Sequence, residues 1–280
     1  MSTRSRAAAA GMVPGATYGR ILGGLGVACF AIGCTTRIAP ADDSALGDEL
    51  RGAYRSLAEG TSAFMHVGVP DPALPAAEVD SIYSALVRLH AHEDPRWLPA
   101  RSIFDAAAMG RAADFAAEAR TVTVFVDGGD TRWDPWRTGE QQTGDPEIDS
   151  VLRRFGLSVR SWTPYSLPRI YGVDLVWLFV LDRQDAFNPS ASAAAWRRVA
   201  GVLDTSPDPE WELYRWGNWY PVSGAFDDPN VGYRPEPGPL EWRLRVALGW
   251  GDCPAGCINN REYDFRIAPD GAVRLAPDIP

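Results

Sequence analysis

Between Thr121 and Trp216 the hydrophobic repeat changes back and forth between the strand period and the helix period. That order restricts the fold more than any compositional figure. TVTVFV (Thr121–Val126) reads as strand from its β-branched content, and Gly128-Gly129 break it. Asp145 is placed to cap a helix, with Pro146 at its first position and Gly156 just past its end. Within it Ile148, Val151, Leu152 and Phe155 stand at i, i+3, i+4 and i+7. A short strand follows near Leu157–Trp162, closed by Pro164 and Pro168. VDLVWLFVL (Val173–Leu181) is a third strand, apolar on both faces apart from Asp174. Asn188-Pro189-Ser190 opens a second helix carrying Trp196, Val199, Ala200 and Leu203 at the same spacing. EWELYRW (Glu210–Trp216) is the fourth strand.

The order β-α-β-β-α-β is the split βαβ, or ferredoxin-like, arrangement. It makes strands one and three central, and these carry no charge but Asp174. The second strand contains Arg160 and the fourth Glu210, Glu212 and Arg215, as suits edges that must not pair with other sheets. An α+β fold is therefore expected, with a ferredoxin-like module over residues 120–217. Before it, residues 61–119 form a helical segment. Val79, Ile82, Tyr83, Leu86 and Leu89 recur at helical spacing from about Pro75 to His92, and an Ala-rich stretch runs from Pro99 to Arg120. Residues 34–60 read as a linker with a short helical end.

After the module, residues 218–280 read as an antiparallel β-meander. Trp219–Pro239 is a loop rich in Pro, Gly and Asp. Trp242, Leu244, Val246, Leu248 and Trp250 then share one face, with Glu241, Arg243 and Arg245 on the other. Tyr263, Phe265 and Ile267 repeat the pattern, Pro269-Asp270-Gly271 turns the chain, and AVRLAP supplies a short third strand. The apolar face must be covered, most simply by the ferredoxin-like module.

The amino terminus carries Arg4, Arg6 and Arg20 and no acid before Asp42. Its apolar run, Ile21–Ile32, falls short of the roughly 20 residues that span a bilayer. Basic flank, short apolar core and small residues describe a secretory signal over residues 1–33; a start at Met12 would give it ordinary proportions. Ala31-Ile32-Gly33-Cys34, followed by Thr35-Thr36, resembles the lipobox of a bacterial lipoprotein. Ala31 departs from the usual Leu or Val, and Cys29 is a rival inside the apolar run. The resemblance implies that Cys34 is lipidated and becomes the first residue of an envelope protein. With no aspartate after the cysteine, it implies the outer membrane where a cell has two. An ordinary cleaved signal with an incidental cysteine is the alternative.

Removing that signal takes three arginines from 27 basic residues and leaves 24 against 36 acids, a net charge of −12. Such a surface argues against nucleic acid as a partner, and against attraction to anionic lipid. Every basic residue is arginine, which excludes a lysine Schiff base. In an exported compartment Cys253 and Cys257, in GWGDCPAGC, are expected to form a disulfide staple. A structural zinc site needs four ligands, and His66, His90 and His92 all lie far upstream. Asp252, Asn259 and Asn260 suit a solvated loop as well as a calcium site, so no metal and no cofactor are expected.

TGDPEIDSVLRRFGL, together with GWGDCPAGC, resembles a set of bacterial secreted proteins and lipoproteins of unassigned activity. This resemblance spans roughly residues 120–275 and implies no catalytic residues. The ferredoxin-like part also looks like the prodomain and inhibitor module of subtilisin-type proteases, a likeness of fold pattern alone.

Other motifs point to chemistry more weakly. His90 and His92 lie two apart, so on a helix they face different ways, and packed or surface histidines are the simpler reading. Asp127, Asp130 and Asp134 follow strand one without the spacing of a calcium loop. No G-x-S-x-G or P-loop occurs. All eleven tryptophans fall from Trp97 onward. Trp133, Trp136, Trp216 and Trp219 fit no assigned apolar face, so they are the candidates for stacking on glycan. The function expected is that of a non-catalytic envelope lipoprotein that binds a protein partner, in one version a protease held as a prodomain holds it. The alternatives are a cell-wall glycan binder and a hydrolase with an unrecognised site involving Asp127 or His90.

Overall fold

The computed structural model of the chain describes residues 36–166, 168–206, 220–222, 230–251 and 259–277. Among them stand seven α-helices and two antiparallel sheets, a mixed α+β architecture. The helical first part holds α1 (Asp48–Met65), α2 (Ala76–Ala91), α3 (Leu98–Gly110) and α4 (Ala112–Glu118). Helix α2 forms where its apolar spacing predicts. Helix α1 is a correction, because 18 residues are helical in and beyond the stretch read as a linker. Tyr54, Leu57, Ala58 and Thr61 stand at i, i+3, i+4 and i+7 and are all fully buried. Gly52, Gly60 and Ser62 dilute the signal, and packing overrides their low propensity. The chain is already folded before α1, with Ile38 and Leu46 buried. The Ala-rich stretch is two helices, divided at Arg111, where the backbone leaves helical geometry.

The first sheet comprises β1 (Thr121–Asp127), β2 (Ser158–Pro164), β3 (Val176–Asp182) and β4 (Val202–Ser206). Helices α5 (Asp134–Arg137) and α6 (Pro146–Phe155) lie between β1 and β2, and α7 (Pro189–Trp196) between β3 and β4. The strand order is β2-β3-β1-β4 and every neighbouring pair is antiparallel, so β1 and β3 are central. Local rules place the helices. The Asp145 carboxylate accepts from the backbone N–H of Glu147 and Ile148 at 2.9 and 3.3 Å, and Gly156 closes α6 in the left-handed conformation. Asn188 caps α7 by accepting from the Ala191 N–H at 3.2 Å.

The last strand departs from expectation. The segment 210–216 lies outside the described residues, and residues 202–206 pair with β1. Helix α7 stops at Trp196, well before Leu203. Gly201, at φ 81°, reverses the chain where a side chain would collide with Asp130 and Arg132. Val122, Val124 and Val126 on β1 pack with Phe179, Leu181, Trp136, Ile148, Phe155 and Trp196 into one core.

The second sheet is a meander of β5 (Tyr220–Pro221), β6 (Asn230–Pro237), β7 (Trp242–Trp250), β8 (Asn259–Ile267) and β9 (Val273–Leu275), in that order. Strand β6 occupies the stretch read as a loop. Among the described residues β5 pairs with Gly232 and Tyr233, and Pro235 and Pro237 lie beyond these pairs, where they lack a ladder donor. Trp242, Leu244, Val246, Leu248, Tyr263, Phe265 and Ile267 are buried as the alternation requires, whereas Trp250, at the strand end, is 43% exposed.

The face they form does not cover the four-stranded module. It packs on the amino-terminal helices, sharing a core with Tyr54, Leu57, Ile82, Leu86, Trp97 and Phe104. The module has its own helices to bury one face of its sheet, while α1 to α3 have apolar surface in need of a cover. The two cores are linked across their boundary. Arg120 pairs with Glu59 at 2.6 Å, and the Asn188 amide donates to the carbonyls of His66 and Val69, both at 3.0 Å. No described helix is long and apolar enough to cross a membrane.

Candidate functional site

The three aspartates after β1 do not converge. Asp127 accepts from the backbone N–H of Gly129 at 2.9 Å, a local turn contact. Asp130 accepts from both the backbone and the guanidinium of Arg132, the closest contact being 2.6 Å. Arg132 also reaches Asp145 at 3.3 Å and the Ala200 carbonyl at 2.7 Å. Its hydrogen bonds hold the Asp130 carboxyl below the ordinary value against the opposing effect of burial. Burial likewise pushes Asp145 up, but the N–H groups of Ile148 and Glu147 and the Arg132 charge outweigh it, so this carboxyl also titrates low. Asp134 pairs with Arg137 at 2.9 Å. One arginine thus ties the β1 loop, the start of α6 and the turn before β4 together, which is an architectural use of these acids.

The histidines are equally dispersed. His90 Nδ1 lies 2.9 Å from Asp105 Oδ2, and the other oxygen of that carboxylate accepts from the Tyr54 hydroxyl at 2.5 Å. Burial and the adjacent Asp105 push the Tyr54 phenol well above its usual range. This chain of contacts joins α1, α2 and α3. His92 packs edge-on against Phe265, with centroids 5.7 Å apart. His66 sits 2.9 Å from the Ser62 carbonyl and 3.4 Å from Glu78. Among the described residues no three His, Cys, Asp or Glu side chains gather as metal ligands.

Trp133 and Trp136 are not available to a glycan. They are 0% and 1% exposed, in mutual contact at 5.2 Å, with Trp136 edge-on to Phe179 and Trp196. They belong to a four-residue helix and the 3-10 turn before it, too short for periodicity to mark an inner face. Trp216 and Trp219 lie outside the described residues, as do Cys34, Cys253 and Cys257. The strands flanking the last two are paired, with Trp250 opposite Asn259, so both cysteines belong to one hairpin connection. Among the described residues of the module the exposed tryptophan is Trp162, 39% accessible and edge-on to Trp177 at 5.1 Å, with Arg137 over both rings.

The surface best suited to recognition is the other face of the four-stranded sheet. Phe125 and Leu178 stand opposite each other in the β1–β3 ladder, and Thr123 stands opposite Val180. All four are half-buried, in contrast to the fully buried valines that alternate with Phe125. Tyr165 stands edge-on to Phe125 at 5.2 Å, and Tyr171 lies 5.9 Å from it. The Tyr171 hydroxyl donates to Asp204 on β4 at 3.2 Å. Burial first, then the Asp204 charge, pushes this phenol up to about 12. Beside it Ile170 is 64% exposed. The result is an aromatic and aliphatic surface with a polar margin, composed as binding surfaces are. Sequence reasoning passed over Phe125, although the alternation that buries Val122, Val124 and Val126 leaves it on the opposite side. No family model, curated protein or solved structure matches the chain.

Proposed function

We propose that this chain is a lipid-anchored, non-catalytic envelope protein whose four-stranded sheet binds a protein partner through the face that α6 and α7 leave uncovered. On this reading residues 121–206 are a ferredoxin-like module. The strand order β2-β3-β1-β4, with α6 and α7 in the two crossover connections, supports that assignment. Cys34 is the lipidated residue, two positions before Thr36, where the described residues begin. Cys253 and Cys257 close a disulfide within the β7–β8 connection.

The observation that carries the binding reading is the pairing of Phe125 with Leu178 on the face that α6 and α7 leave uncovered, next to Tyr165, Tyr171 and Ile170. Bulky apolar groups on that side contribute little to the module's own core. A prodomain-like role makes a subtilisin-type protease the first partner to try. The test is inhibition of subtilisin by the full chain, alongside capture of partners from native envelope. Dose-dependent inhibition weakened at least about tenfold by Ile170→Asp, the loss of roughly 1.4 kcal/mol of contact, supports the protease version. No inhibition at micromolar excess removes it. Failure to capture any stoichiometric protein partner removes the binding reading as a whole. A glycan-binding version loses Trp133 and Trp136, which are interior, and among the described residues of the module turns to Trp162 and its neighbour Trp177.

A further inference from the structure

The β6–β7 hairpin turns through Gly238, Pro239, Leu240 and Glu241. Gly and Pro are ordinary turn residues, but leucine has no turn role, and Leu240 is 80% exposed. Scattered exposed leucines need no explanation. This one is set apart by its neighbour. The Thr36 hydroxyl donates to the Pro239 carbonyl at 2.5 Å, and the Trp242 indole N–H donates to the Thr36 carbonyl at 2.5 Å. The first described residue of the chain is therefore held on both sides of Leu240.

Only two peptide units separate Thr36 from Cys34, a reach of at most roughly 7 Å however the chain runs. If Cys34 carries lipid, as the proposed function holds, the hairpin cannot drift from the bilayer on a long tether. We infer that the β6–β7 hairpin docks on the lipid surface, with Leu240 entering the headgroup–acyl boundary, so that the protein stands on its membrane in one orientation.

The charges at this end agree. Arg37 is exposed, and Arg266 and Arg274, 51% and 75% exposed, both pair with Glu241 beside the leucine. Arginine stems lie comfortably along an apolar boundary while their heads stay wet. The body as a whole is acidic, so the contact depends on apolar insertion and on local arginines and not on a general attraction to anionic lipid. Ala39 and Pro40 are bonded by Arg88, which also bonds Gly271. The segment leading from the anchor is thereby fixed to α2 and to the β8–β9 turn, and a hairpin held this firmly passes its orientation to the rest of the fold.

The test uses the full chain made in a bacterial host. Palmitate labelling, compared with Cys34→Ala, reads the anchor. The purified lipoprotein is then reconstituted in vesicles of phosphatidylethanolamine and phosphatidylglycerol. An environment-sensitive dye is attached at Leu240→Cys or, as control, at Ile170→Cys on the other sheet. The expected result is a blue-shifted emission at position 240 that spin-labelled lipid quenches, with a water-like emission at 170. A water-like emission at 240 in a labelled lipoprotein overturns the docking and leaves the anchor intact. Absence of palmitate on Cys34 overturns the anchor, and the docking with it.

Discussion

Trp97 stands edge-on to Phe265, with ring centroids 5.0 Å apart and planes at 78°. The contact joins the residue that precedes α3 to the middle of β8, and so the amino-terminal helices to the carboxy-terminal meander. Trp97 is fully buried, and its indole N–H donates to the Leu89 carbonyl at 2.9 Å. Trp97→Ala is expected to cost about 3–5 kcal/mol, read as a lower urea midpoint with no change in slope. Trp97→Phe should recover much of that loss and forfeit only the indole hydrogen bond, since the Leu89 carbonyl still accepts from the His92 N–H. A loss below about 1 kcal/mol for the alanine variant would mean that the meander is not seated on these helices.

Asn188 performs two tasks at once. Fully buried, it caps α7 through its oxygen and holds the His66 and Val69 carbonyls through its nitrogen. Asn188→Ala should cost about 2 kcal/mol, since the lost cap adds to the loss of both amide hydrogen bonds, although the His66 carbonyl keeps the Val69 N–H as a partner. Asn188→Asp keeps the cap acceptor but turns a second oxygen toward the same carbonyls. It should be at least as destabilising at neutral pH, and thermal denaturation of the pair decides the point.

The Tyr54–Asp105–His90 chain should behave as one unit. Tyr54→Phe leaves a largely buried carboxylate short of a partner and should cost about 1–3 kcal/mol. With His90→Gln as the second change, the double-mutant cycle should show a coupling of about 0.5 kcal/mol or more, because both side chains serve one carboxylate. Strict additivity would show that Asp105 finds solvent instead.

Alkaline titration reads the tyrosines. Tyr83 and Tyr171 are each pushed up to about 12, by burial first and then by the acid each one meets, Asp43 and Asp204. Their ordinary value is about 10. A phenol raised on folding contributes stability that is fully present below about pH 10 and is lost as pH rises through about 12. Phenolate absorbance of the folded protein should therefore contain a late step, and Tyr171→Phe should shrink that step while leaving the earlier part of the curve unchanged.

What the sequence disclosed followed how local the cause is. Asp145, Pro146 and Gly156 mark both ends of α6 because capping depends on a few adjacent residues. The inner face of β7 is legible at Leu244, Val246 and Leu248 because strand alternation is local too. Helix α1 was hidden by glycine and serine among its buried positions, and its reality rests on residues far along the chain. Strand β4 stands at 202–206, directly after the left-handed Gly201, whose turn no apolar period announces. The partner of the meander was not legible, since alternation reveals that a face is apolar and not what will lie on it. The aspartates at 127, 130 and 134 looked like a site because their partners, the Gly129 N–H, Arg132 and Arg137, are invisible until the loop is folded.

The core that Trp97 and Phe265 share draws on residues from Ile38 to Phe115 and again from Val222 to Ile267, while the core of the module lies wholly between Val122 and Val199. A chain emerging amino terminus first can complete the inserted module before its carboxy-terminal strands exist. The helices that precede it cannot close until those strands arrive. Sequence-distant contacts of this kind are slow to form. The amino-terminal helices are thus the last part of the body to gain their cover, which delays full folding until the carboxy-terminal strands have been made.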